Sequence, residues 1–217
     1  EFDMENRFEG QTEYDIAATS QKAFENVFFK YATPFFEKYP NLPIVLTGGC
    51  ALNILLNTEV KNHFSGEREV YVAPNSSDCG LSAGMLLSYL KPEESVDLTY
   101  AGIPLLDSNM FFSRVKYEEV SKVDLSLISK ILSKGSIIGV ARDRCEHGPR
   151  ALGNRSIICD PSIENMKDIL NEKVKHREWF RPFAPIVRLE DAREYFDFDQ
   201  ESRHMCFAVN VRGGWKE

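Results

Sequence analysis

Two dense stretches between Glu146 and Pro185 constrain this chain more than any other part of it. The first is Glu146-His147-Gly148-Pro149-Arg150-Ala151-Leu152-Gly153-Asn154-Arg155-Ser156. The second is Lys173-Val174-Lys175-His176-Arg177-Glu178-Trp179-Phe180-Arg181-Pro182-Phe183-Ala184-Pro185. Together they hold six Lys or Arg residues and two glycines in 24 residues, in a chain whose formal net charge is −7. A charge run spaced by Glu and Ser is usually a solvated helix face. Here the spacers are Pro, Gly, Trp and Phe. The arginine fork suits bidentate recognition of phosphate or carboxylate, and glycine lets backbone approach a ligand closely. The pattern implies an anion site, phosphate first, with a solvated basic face as the alternative.

Such a site must be local. The acidic balance argues against broad nucleic-acid binding and against docking on an anionic membrane. At 217 residues and 43% hydrophobic content, the chain suits one large domain or two small ones. Its five cysteines (Cys50, Cys79, Cys145, Cys159, Cys206) are an odd number without a CxxC pair. They read as reduced thiols of a cytoplasmic protein. No apolar run approaches the ~18 residues of a membrane-spanning helix. The acidic start, Glu1-Phe2-Asp3-Met4-Glu5-Asn6, has no signal-like apolar region and no Met at position 1. It suggests a piece excised from a longer protein.

From Tyr14, the residues Ile16, Ala17, Phe24, Val27, Phe28 and Tyr31 recur at helical spacing, predicting a helix to about Ala32 that Pro34 bends or ends. Ile44-Val45-Leu46 reads as a fully apolar strand of the kind buried in a parallel sheet. Thr47-Gly48-Gly49-Cys50-Ala51-Leu52-Asn53 follows, with a helix from Ala51 to about Val60. Strand, Gly-Gly turn and helix make a phosphate-binding geometry, or only a tight turn. The pattern repeats with a strand at Glu69–Ala73, a loop through Asp78 and a helix from Leu81 to Leu90. Asp78 then lies beyond the end of a parallel strand, where open α/β sheets place ligands. It reads as a ligand to a metal or to a nucleotide's magnesium, or as a helix N-cap. Residues 91–124 lack periodicity and read as a linker or irregular crossover.

In the second half, Leu125–Leu132 reads as a short helix and Ser136–Ala141 as a strand. The Arg-rich loop follows, then a strand at Ser156–Cys159. Ile163, Met166, Ile169 and Leu170 give a helix. Asp191–Phe196 looks helical, and Met205–Val211 reads as a closing strand whose partner would lie beyond the chain.

A set of ordered motifs now carries a resemblance. Glu146-x-Gly148-Pro149-Arg150-Ala151-Leu152-Gly153-Asn154-Arg155-Ser156-Ile157 and Asp160-Pro161 come first. Asn171-Glu172-x-Val174-Lys175-x-Arg177-Glu178-x-Phe180-Arg181-Pro182-Phe183-Ala184-Pro185 completes a region that resembles the C-terminal part of the O-carbamoyltransferases of the NodU/CmcH type. Thr47-Gly48-Gly49-x-Ala51-Leu52-Asn53 and Pro74-x-x-x-Asp78-x-Gly80 resemble the N-terminal domain of the same family, in the same order.

The resemblance implies an α/β chain in two parts. Residues 1–124 would be the C-terminal lobe of an actin/sugar-kinase-like (ASKHA) domain with its linker, and residues 125–217 the start of a YrdC-like α/β domain. It implies that carbamoyl phosphate and ATP form carbamoyl-adenylate, with loss of phosphate and pyrophosphate, and that the carbamoyl group then moves to a hydroxyl of a small-molecule acceptor. Arg150, Lys175 and Arg181 match positions that hold carbamoyl phosphate or the adenylate, with Arg155 and Arg177 as neighbours. Gly48, Gly49 and Asn53 match the nucleotide turn, and Asp78 matches a ligand of a divalent metal, iron or magnesium. Oligomeric state stays open, a homodimer included.

The chain also departs from that pattern. It has no His-x-x-x-His, and Arg142-Asp143-Arg144 stands where the family has Gln-Gly-Arg. It is expected to be inactive by itself. Two rival functions remain: a non-catalytic nucleotide- or carbamoyl-phosphate-binding module acting with a partner chain, and a related threonylcarbamoyl or hydrogenase-maturation enzyme.

Overall fold

The first helix is longer than its proline suggests. In a computed structural model, which describes residues 12–64, 67–105, 123–198 and 200–213, α1 (Glu13–Lys38) runs 26 residues and continues past Pro34 instead of ending near Ala32. Thr12 and Asp15 close its N-terminus as a capping box. A proline inside a helix costs about 3 kcal/mol. Here the turn beyond it is held by tertiary contacts. Phe36 packs edge-on against Phe64, with ring centres 5.1 Å apart. Arg68 lies over the Phe64 ring and donates to the carbonyls of Tyr39 and Leu42, at 3.0 and 2.9 Å, where α1 runs out.

β1 (Ile44–Leu46) and β2 (Val70–Val72) pair in parallel, Ile44 opposite Val70 and Leu46 opposite Val72. Between them lie a 3-10 turn, Gly49–Leu52, and α2 (Ile54–His63). Ile44, Leu56, Val60 and Val70 form the main core, under Phe24, Phe28, Phe29, Phe36, Phe64 and Phe207. β1 was expected to be buried throughout, but Val45 is 62% exposed. Alternate side chains of a strand face opposite ways, and the apolar core covers only the face carrying Ile44 and Val70.

A short 3-10 turn at Asp78–Gly80 leads into α3 (Leu81–Leu90). In the second half α4 (Leu125–Leu132), capped by Asp124, precedes the antiparallel pair β3 (Ile138–Ala141) and β4 (Arg155–Ile158). The helix expected around Ile163–Leu170 begins as α5 (Met166–Ile169). It widens into a π-helical turn, Leu170–Lys175, instead of stopping. A final 3-10 turn and α6 (Ala192–Tyr195) follow.

Two expectations change through long-range contacts. Met205–Val211 forms no ladder; Val211 makes one isolated bridge to Phe196. The segment is instead absorbed into the first half of the chain, where Cys206 and Phe207 join its core clusters. The stretch read as a linker is also partly ordered, since residues 99–105 run antiparallel to residues 143–147. Their backbone bonds include His147 N to Thr99 O, Cys145 N to Ile103 O and Leu105 N to Asp143 O, each 2.8 Å. Residues 106–122 of that stretch lie outside the described residues.

Candidate functional site

The loop joining β3 to β4 is wound around one carboxylate. Glu146 is 6% exposed, and its Oε1 accepts the backbone N–H groups of Leu152, Asn154 and Arg155 at 2.8, 2.9 and 3.1 Å. Its Oε2 is buried and takes no bond among the described residues. Burial alone would raise the pKa of this group. The backbone donors outweigh that and hold it below the ordinary glutamate value. No Lys, Arg or His pairs with it among the described residues, although Arg142, Arg144, Arg150 and Arg155 surround it in sequence.

Further ties fix both legs of the loop. Buried Asn154 accepts from Arg142 Nε at 2.9 Å and donates to the carbonyl of Arg144 at 2.8 Å. The Tyr100 hydroxyl donates to the carbonyl of Leu152 at 2.9 Å. On the other leg Gly148, at φ 147°, passes so close to Pro74 that an added Cβ would stand 2.4 Å from the Pro74 carbonyl oxygen. His147 Nε2 lies 3.1 Å from the side-chain nitrogen of Asn75. The Arg150 loop is thus seated on the loop that follows β2.

Arg150 itself is half-buried and makes no hydrogen bond or ion pair among the described residues. Its charge reaches the buried Cys206 thiol, where it partly opposes the upward push of burial on the pKa. Arg155 spends its backbone N–H on Glu146, while its side chain is exposed.

The second cationic stretch is organised by another buried side chain. Asn171, 1% exposed, donates to the carbonyls of Trp179 and Arg181 at 3.2 and 3.0 Å, and accepts from Arg177 Nε at 2.6 Å. The Arg177 guanidinium also lies 4.4 Å from the Phe183 ring centre. Arg181 pairs with Glu178 at 2.7 Å, both side chains about half exposed. Lys175 ends the π-helical turn with an exposed side chain. Arg177 and Arg181 are therefore drawn together around Asn171. Among the described residues, no hydrogen bond or ion pair joins this cluster to Arg150.

In the first half, Gly48 takes φ 88°, and neither it nor Gly49 has any atom within 4 Å of an added Cβ, so the space beside this turn is open. Asn53 is otherwise occupied. It caps α2 by accepting from Leu56 N at 3.0 Å and exchanges amide bonds with Gln21. Asp78 is exposed at the start of its 3-10 turn. No group of three His, Cys, Asp or Glu side chains among the described residues can hold a metal ion. Asp78 alone does not make a metal site.

Residue patterns missed His204 and Asn57. His204 Nε2 lies 3.1 Å from the hydroxyl of buried Thr99, and its ring also bonds the Val72 backbone. These groups line a cavity of about 640 Å³ beside the outer edge of β2, with Tyr71, Asp97 and Arg203 on its walls. Asn57, fully buried, links α2 to Cys206. Neither stands in a recognisable spacing. No described helix is long and apolar enough to cross a membrane.

Comparison with known proteins finds two matches to family models. Residues 2–87 match the model described as carbamoyltransferase N-terminus, and residues 129–217 the one described as carbamoyltransferase C-terminus. Nodulation protein NolNO of Sinorhizobium fredii is 35% identical over 93% of this chain and 32% of its own length. The 3'-hydroxymethylcephem-O-carbamoyltransferase of Streptomyces clavuligerus is 34% identical over 78% of this chain and 33% of its own length. An uncharacterized protein of Synechocystis sp. is 34% identical over 93% of this chain and 35% of its own length. The chain spans about a third of the length of these curated relatives.

Proposed function

The chain belongs to the carbamoyltransferase family, and from that premise we propose that the protein carrying it is an ATP-dependent O-carbamoyltransferase. In this reading carbamoyl phosphate, ATP and water give carbamoyl-adenylate, phosphate and pyrophosphate. A hydroxyl of a small-molecule acceptor then takes the carbamoyl group and releases AMP. The name of the Streptomyces relative, an O-carbamoyltransferase acting on a hydroxymethylcephem, supports transfer to a hydroxyl. The corresponding fold reading is an actin/sugar-kinase-like lobe followed by the start of a YrdC-like domain. It draws support from the parallel β1–β2 pair, with the Gly48–Gly49 turn and Asp78 beyond the C-terminal ends of its strands.

The observation that carries the proposal is Arg150: a half-buried arginine with no hydrogen-bond or ion-pair partner among the described residues, on a loop pinned at both legs. A cation held this way is ready for a phosphate oxygen and needs little reorganisation, and one such donor is worth about 2.7–4 kcal/mol to a developing charge. Lys175 and Arg181 would add charge from the second cluster, with Arg155 and Arg177 beside them. ATP would supply the adenylyl group, with the open turn at Gly48 and Gly49 as its contact; Asn53 would act by shaping that turn. A divalent metal, iron or magnesium, would need ligands besides Asp78. The test is carbamoyl-phosphate-dependent pyrophosphate release by the protein carrying this chain. Arg150→Ala should abolish it, and near-normal release would remove Arg150 from the donor site.

A further inference from the structure

A buried carboxylate close to several arginines ordinarily recruits one of them, because an unpaired buried charge is costly. Glu146 does not. Its charge is met by three backbone N–H groups of the very loop that carries the arginines. The consequence is that Arg150 has no hydrogen-bond or ion-pair partner among the described residues. Its place in the loop is nevertheless tightly bounded. On one side His147 N bonds Thr99 O and Gly148 abuts Pro74. On the other, Leu152 is held through its N–H by Glu146 and through its carbonyl by Tyr100. Only Pro149, Arg150 and Ala151 lie between these anchors.

We infer that Glu146 is a positioning residue for the carbamoyl donor, acting through Arg150: its carboxylate gathers the loop so that the guanidinium is presented sheltered and unpaired to the donor's phosphate. The inference rests on the carbamoyl-phosphate reading of Arg150 given above. The carboxylate does two things that a neutral side chain of equal size does less well. It makes charge-assisted bonds to three donors at once, each roughly twice as strong as a neutral bond. It also leaves the nearby cations to the ligand. Aspartate, one methylene shorter, cannot reach the same three N–H groups from the same backbone position.

The test is a double-mutant cycle read by calorimetric titration with carbamoyl phosphate, alongside thermal melting, on wild type, Glu146→Gln, Arg150→Ala and the double variant. Glu146→Gln should weaken binding roughly tenfold or more, in line with the cost of misplacing a contact group. In the Arg150→Ala background the same change should cost less than about twofold, because the group it positions is gone. An equal factor in both backgrounds, with a fall in melting temperature, would mean a purely structural role and overturn the inference while leaving the donor reading intact. Failure of wild type to bind carbamoyl phosphate would remove the donor reading, and this inference with it. Should Glu146→Gln not fold, Tyr100→Phe takes its place, since it releases only the half-exposed anchor on Leu152. It too should weaken binding, and only where Arg150 is present; unchanged binding would overturn the inference.

Discussion

The side-chain nitrogen of Asn57 lies 2.9 Å from the carbonyl of Cys206, 149 residues further along the chain, and 2.9 Å from the carbonyl of Ala51. One fully buried amide therefore ties the turn that begins at Gly49 to the segment around Cys206. Ala208 reinforces the link by donating to Thr58 Oγ1 at 2.8 Å. The C-terminal segment is thus held to the first half through α2.

Asn57→Ala leaves both carbonyls buried without their donor and opens a small cavity. The expected loss of stability is about 2–4 kcal/mol, read from urea denaturation. A loss below ~0.5 kcal/mol would be that of an ordinary surface change and would show that the Cys206 segment is held by something else.

Gly148 and Gly84 should respond to alanine in opposite directions. At Gly148 the new Cβ would meet the Pro74 carbonyl at 2.4 Å with the backbone at φ 147°. The loop must then leave its seat, at a cost of about 1–3 kcal/mol and, on the proposed donor reading of Arg150, with loss of carbamoyl-phosphate binding. Gly84 lies inside α3 with nothing within 4 Å of an added Cβ, so Gly84→Ala should stabilise by about 0.5–1 kcal/mol. Melting curves of the two variants check both signs.

How much of this was legible in the residues depends on range. α3 is found with the bounds its pattern predicts, and β1 likewise, because apolar spacing and flanking turn residues are local signals. Pro34 misleads because Phe36 and Arg68, which hold the helix beyond it, act through tertiary contacts. The cationic motif is plain in the sequence, and its glutamate was counted as part of it. Nothing in the spacing shows that Glu146 turns inward to bind backbone instead of pairing with an arginine. The antiparallel run of residues 99–105 against 143–147 is equally invisible, since it joins a stretch without periodicity to a loop.

His204 gives the fold a dependence on pH. Burial lowers its pKa from 6.5; the Val72 carbonyl and the charges of Asp97 and Glu201 oppose that shift, while Arg203 adds to it. A folded value below the unfolded one means that protons bind the unfolded chain more readily. The contribution is therefore intact above about pH 6.5 and is lost as pH falls through the lowered folded value. The denaturation midpoint should decline between about pH 7 and pH 5, and His204→Gln should flatten that slope. An unchanged slope in the variant would assign it to other groups. Glu146 acts at lower pH, because its backbone donors hold its pKa below the ordinary glutamate value.

Arg181 makes the last prediction. Its partner Glu178 is half exposed and 2.7 Å away, and that charge contact holds the glutamate below its usual pKa after its own backbone N–H. Arg177 is less available, clasped by Asn171 and stacked on Phe183. To reach a donor phosphate, Arg181 must exchange Glu178 for the ligand. An exposed pair of this kind is weak, because solvent screens it. Removing the competitor with Glu178→Gln should therefore tighten carbamoyl phosphate by about two- to fivefold, with little change in melting temperature. Calorimetric titration decides. Weaker binding would mean that Glu178 orients Arg181 for the ligand, and unchanged binding that Arg181 does not reach it.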